Sequence, residues 1–178
     1  MNYKKFYKNK KILVTGATGF KGAWLSIWLK ILGANVYGIG YKPNKNIKLF
    51  DQLKLKNKIN FKNIDIRNYR LLNNHIKKIK PEIIFHLAAQ PIISKSYDFP
   101  LDTYKINSLG TLNLINIIKS YKFTKTAVFI TSDKCYESNN STIGFKENDK
   151  LGGIDPYSGS KACAEIIVNT YYHSFQMI

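Results

Sequence analysis

The chain is poor in residues that would place it in several common protein classes. Its 178 residues include two cysteines, Cys135 and Cys163, and three histidines. That is too few for a disulfide framework or a Cys/His metal cluster, and it implies reduced thiols in a cytoplasmic protein. No apolar run approaches the ~18 residues that a membrane span needs. The run Ile12-Leu13-Val14 is too short for a signal peptide and leads straight into Gly16. Acids are scarce as well, eleven against 28 basic residues, and only Arg67 and Arg70 among the latter are arginines.

The resulting net charge of +17 is unevenly placed. Residues 1–80 carry seventeen lysines and both arginines against Asp51 and Asp65, whereas residues 81–178 balance nine lysines with nine acids. Nucleic-acid readout favours arginine forks and interleaved aromatic platforms. The lysine excess instead reads as residue usage at solvent positions, so a nucleic-acid partner is not expected. The field still favours anionic ligands such as nucleotides.

At this length one domain with a real core is expected, spanning 1–178. Short apolar runs alternate with helical patterns along the chain. Residues 11–15, 35–41, 59–65, 82–87 and 126–131 read as strands. A helix over 22–32 carries Trp24, Leu25, Trp28, Leu29 and Leu32, which the periodicity places on its inner side. Further helices are expected through Tyr69 to Ile79 and from Pro100 to Tyr121, with a weak pattern near Leu49–Leu53. A last helix opens with Asp155 as cap and Pro156 in its first turn. The alternation predicts an α/β fold, a doubly wound parallel sheet.

Three motifs carry chemistry. Thr15-Gly16-Ala17-Thr18-Gly19-Phe20-Lys21-Gly22 follows the first strand and opens a helix. Such glycines permit a tight turn, approach of backbone to a pyrophosphate, and close helix packing. The end of the second strand, Gly40-Tyr41-Lys42, lacks the acid that would hold an adenosine ribose, and Lys42 tolerates a 2′-phosphate, leaving NADP open beside NAD. Asp65 is either a strand-end cap or an acceptor for the adenine amino group, with Ile66 against the ring.

Ser132-Asp133-Lys134 follows the fifth strand, at the end that faces the ligand crevice in such sheets. Asp133-Lys134 alone would also serve as a turn ion pair. Tyr157 and Lys161 then lie four apart on one helix face. A phenol is a poor base near neutrality, and an adjacent ammonium favours its ionised form.

Together these elements resemble the extended short-chain dehydrogenase/reductases, the NAD-dependent epimerase/dehydratase family, whose core is Rossmann-like. Thr18 to Leu25, His86-Leu87-Ala88-Ala89-Gln90-Pro91, Thr131 to Tyr136 and Gly152 to Ser158 are most similar to the CDP-glucose 4,6-dehydratase branch. The resemblance implies NAD held as a catalyst by the glycine loop, Asp65, Ile66, Leu87, Ala88, Ala89, Gln90 and Asn107. It implies Tyr157 as base with Ser132 and Lys161 assisting, Asp133 as acid, and Lys134 as the C5 base. Asn107 would support the catalytic lysine through water.

The resemblance also implies a homodimer through helices near 100–121 and 156–172. Family members are longer, and only 17 residues follow Lys161. The last sheet strands and the substrate domain are thus expected to be absent, which leaves a separately encoded C-terminal half as a further partner. A related epimerase or reductase, or a non-catalytic dinucleotide-binding subunit, are the alternatives.

Overall fold

The computed structural model describes residues 2–41, 49–137 and 144–175. Five parallel strands form one sheet in the order β3-β2-β1-β4-β5: β1 Lys11–Thr15, β2 Asn35–Gly40, β3 Asn60–Asn63, β4 Ile83–His86 and β5 Thr126–Phe129. The strand order reverses beside β1, and in such sheets ligands bind at that switch point, outside the strands' C-terminal ends. This is the Rossmann-like arrangement that the sequence predicts.

Alternation along β1 feeds two cores. Ile12 and Val14 join Ala23, Leu29, Phe50 and Leu55 on one side, under α2 (Phe20–Ile31), α3 (Leu49–Gln52) and α4 (Leu55–Lys58). Leu13 joins Leu72, Ile76, Leu114 and Ile117 on the other, under α5 (Tyr69–Ile79) and α8 (Gly110–Lys119). Side chains on successive strand residues point to opposite faces, so a strand buried on both sides reads as a continuous apolar run.

The inner face of α2 differs from the expected one. Leu29 is buried and Leu25 is partly buried on the core, but Trp24 and Trp28 are 52% and 56% exposed. Small residues Gly22, Ala23 and Ser26 fill the sheet-facing arc instead. The cause is close approach: a Cβ at Gly22 would sit 2.1 Å from the Gly16 carbonyl oxygen. Bulky residues are therefore turned to the far side, where Phe20, Trp24, Trp28 and Ile31 form an exposed stripe.

The long helix expected from 100 to 121 is α7 (Pro100–Tyr104), a π-helical turn (Lys105–Leu109) and α8, running on through helical backbone at Lys105 and Gly110. Two further helices, α1 (Tyr3–Tyr7) and α6 (Ile93–Asp98), lie outside the sequence expectations. The last helix, α9 (Pro156–Phe175), begins as predicted, with the Ser158 N–H donating to Asp155 Oδ1 at 3.0 Å. No helix among the described residues is long and apolar enough to cross a membrane.

Candidate active site

The nucleotide loop is shaped by contacts that only glycine allows. Gly16 has φ +70°, and a Cβ there would meet the Ala88 nitrogen at 2.7 Å. The loop after β4 thus lies directly on the loop after β1. Gly19 caps α2 without any side-chain hydrogen bond, so the first-turn N–H groups face the crevice with the positive helix end. Thr18 is buried, whereas Phe20 and Lys21 are exposed on the first turn of α2.

Beneath this loop runs a buried hydrogen-bond chain that the sequence reading missed. Thr15 Oγ1 accepts from the N–H groups of Leu87 and Ala88, both at 3.1 Å. Its own proton must then go to His86 Nδ1, 2.7 Å away. That makes His86 Nε2 the protonated nitrogen, which donates to Thr111 Oγ1 at 3.2 Å, and Thr111 donates to the Asn107 carbonyl at 2.6 Å. Burial, and secondarily the Lys161 charge, lowers the His86 pKa to about 3, so the ring is neutral. Its apolar neighbours in sequence gave no sign of this role.

Asn107, 2% exposed, sits in the π turn. Its Oδ1 accepts from the Gln90 N–H (2.8 Å), and its Nδ2 donates to the Gln90 carbonyl (3.1 Å) and to Ser160 Oγ (2.9 Å). Ser160 Oγ in turn donates to the Tyr157 carbonyl at 2.6 Å, which ties Asn107 to the first turn of α9. The Gln90 side chain is engaged within the fold, donating to the Ile92 carbonyl and Thr103 Oγ1 and accepting from the Ile92 N–H. Leu87, Ala88 and Ala89 are partly exposed.

At the other end of the crevice, the Asp65 carboxylate takes a fork of bonds from Arg67, the shortest 2.7 Å. Arg67 also reaches Asp102 at 3.0 Å and lies 5.9 Å from the Tyr41 ring centroid. Asn68, rather than Asp65, caps α5 by accepting from the Leu71 N–H at 3.0 Å. Ile66 is buried against Gly110, which leaves little of its side chain for a ligand. Tyr41, Asn63, Asp65, Arg67, Asn68 and Tyr69 help line an open depression of about 640 Å³. Lys42 lies outside the described residues.

The catalytic candidates converge at the exit of β5. Ser132 Oγ donates to Asp133 Oδ1 (3.1 Å) and accepts from the Lys134 N–H (3.2 Å), opening a 3-10 turn over Asp133–Cys135 that packs on α9. Asp133 and Lys134 are exposed. Tyr157 and Lys161 are only 8% and 6% exposed, one turn apart on α9. Lys161 Nζ donates to the Ile130 carbonyl at 3.2 Å. Burial lowers its pKa to about 8, opposed by Glu165 and Cys135 and reinforced by the charge of Lys21.

The chain is 43% identical to a CDP-glucose 4,6-dehydratase of Salmonella typhimurium over 97% of its own length and 48% of that protein. An epimerase structure from Methanothermobacter thermautotrophicus superimposes with a TM-score of 0.85 at 27% identity, covering 99% of this chain and 52% of that one. A dTDP-glucose 4,6-dehydratase of Bacillus anthracis, solved in complex with NAD, gives 0.78 at 28%, covering 94% and 52%. The chain spans about half the length of these relatives. The family model of GDP-mannose 4,6 dehydratase matches residues 13–178, and the chain belongs to that family.

Proposed function

We propose that the chain forms the dinucleotide-binding and catalytic portion of a CDP-glucose 4,6-dehydratase that uses NAD and yields CDP-4-keto-6-deoxyglucose. The observation that carries this reading is the burial of Tyr157 and Lys161 one turn apart on α9, with Lys161 bonded to the strand exit that leads into Ser132, Asp133 and Lys134. The nucleotide loop fits a dinucleotide, because Gly16 and Gly22 bring two loops and a helix end together with no Cβ in the way. Support for NAD over NADP comes from the NAD complex of the Bacillus dehydratase.

Bound NAD would supply the chemistry of accepting hydride from sugar C4 and returning it at C6. Tyr157 takes the C4 hydroxyl proton, and Ser132 hydrogen-bonds the same oxygen. Lys161 presents positive charge on the same helix face, favouring the phenolate. Once C4 is a ketone, the C5 proton is acidic. Lys134 removes it, which requires the neutral amine. Asp133 donates a proton to the departing C6 oxygen, water leaves, and the Lys134 ammonium returns its proton to C5 as C6 is reduced. Both groups are exposed, available to a substrate.

We further infer self-association. Tyr104, Lys105, Ser108, Leu109 and Leu112 from α7, the π turn and α8 join Ile167 of α9 around an apolar depression of about 310 Å³, a face suited to a second copy.

The chain spans 48% of the Salmonella protein, and a second reading is that these residues bind NAD and turn over only when a further polypeptide segment, of the same chain or another, docks on them. The half-exposed Val128 and Ile130 at the β5 edge fit such a partner. Incubating the purified chain with CDP-glucose and NAD, and following the 4-keto product's ultraviolet absorbance in base, tests both. Product formation supports the first reading, and NAD binding without product supports the second. Absence of NAD binding would overturn both.

A further inference from the structure

One residue of α9 outside every expectation, Glu165, stands one turn beyond Lys161. The two side chains reach consecutive residues at the exit of β5. Lys161 Nζ donates to the Ile130 carbonyl, and the Thr131 hydroxyl donates to Glu165 Oε1. Residues i and i+4 share a helix face, so α9 grips the strand exit at two adjoining points. The next residues in the chain are Ser132, Asp133 and Lys134. The grip therefore sets how the proton-handling turn lies relative to the helix that carries Tyr157.

The charge environment points the same way. A buried ammonium needs a counter-charge as well as a hydrogen bond. Four titratable groups act on or with Lys161: Glu165 on its own helix, Cys135 from the 3-10 turn, Lys21 from α2, and His86 from β4, which feels the lysine's charge. Lys21 opposes the ammonium, His86 is neutral, and Cys135 is a buried thiol pushed upward by burial and by Glu165. Glu165 is the carboxylate among them.

We propose that Glu165 is a positioning residue, registering the catalytic helix on the β5 exit through Thr131 and supplying the counter-charge of the buried Lys161 ammonium. This deepens the dehydratase reading, and its first test needs neither substrate nor cofactor. Glu165→Gln keeps the side chain's volume and an acceptor for Thr131 but removes the charge. Thr131→Val keeps the shape and the charge but removes the bond.

The experiment follows the Lys161 ammonium by NMR on the lysine-labelled chain across pH, alongside amide hydrogen exchange at Asp133–Cys135. Glu165→Gln is expected to lower the Lys161 midpoint by about one pH unit, with exchange at the turn little changed. Thr131→Val is expected to leave the midpoint near the parent value and to raise exchange at the turn several-fold. An unchanged midpoint in Glu165→Gln, with the native thermal transition retained, would overturn the counter-charge role. Unchanged exchange in Thr131→Val would overturn the registering role. Should the midpoint move as expected while the chain binds no NAD, the dehydratase reading fails and the positioning role stands.

Discussion

Thr15 Oγ1 lies 2.7 Å from His86 Nδ1, and this contact joins the nucleotide loop to the π turn through a chain of buried, oriented protons. Removing the hydroxyl leaves the Ala88 N–H and one ring nitrogen without their partner, while the Leu87 N–H keeps the Thr15 carbonyl. Thr15→Val should therefore cost about 2–4 kcal/mol, since each orphaned buried group costs roughly 1–3 kcal/mol. Thr15→Ser should recover most of the loss. Urea denaturation of the three proteins checks both.

The same histidine sets an acid limit. Its folded pKa, about 3, lies below the ordinary 6.5, so between those values the unfolded chain binds the extra proton. Its contribution is intact above pH 6.5 and is lost as pH falls toward 3. The urea midpoint should drop from pH 7 to pH 5, and His86→Gln should flatten that dependence.

Lys161 exchanges stability for chemistry. Its folded pKa of about 8 lies below the usual 10.5, so the protonated side chain destabilises the fold fully below pH 8 and not at all above pH 10.5. Lys161→Met removes this pH dependence, so the parent's thermal midpoint should gain on the variant's between pH 8 and pH 10.5.

Glycine substitutions should separate the loop from ordinary turns. Gly16→Ala combines a left-handed backbone with a clash against Ala88, and Gly22→Ala drives a Cβ into the Gly16 carbonyl. Either should weaken NAD binding at least tenfold and lower the thermal midpoint. Gly144→Ala, with nothing within 4 Å of its Cβ, should change neither. Isothermal calorimetry with NAD and thermal melts report the contrast.

On α2 the buried and exposed faces should respond oppositely. Leu29→Ala removes a fully buried side chain and should cost about 2–4 kcal/mol. Trp28→Gln, on the solvent side, should stay within about 0.5 kcal/mol of the parent. Denaturant titration measures both.

The strands and the glycine loop were legible because a buried parallel sheet leaves apolar runs that glycine interrupts. Asp155, Tyr157 and Lys161 were legible because capping and i,i+4 spacing are local. The orientation of α2 was not. Hydrophobic periodicity rewards large residues, whereas the close helix–loop contact at Gly22 selects small ones for the buried side. Thr15–His86–Thr111 and Thr131–Glu165 join residues at least 25 positions apart, so spacing carried no trace of them. The π turn around Asn107 depends on side-chain bonds to Gln90 and Ser160 that no propensity records.

The outward stripe of α2 has an optical consequence. Trp24 and Trp28 are the chain's complete complement of tryptophan, and both face solvent on the helix that opens at the nucleotide loop. Half-exposed indoles already contact water, so unfolding should shift their emission only modestly. Energy transfer to a reduced nicotinamide nearby would instead quench it, making the pair a poor gauge of folding and a sensitive one of occupancy.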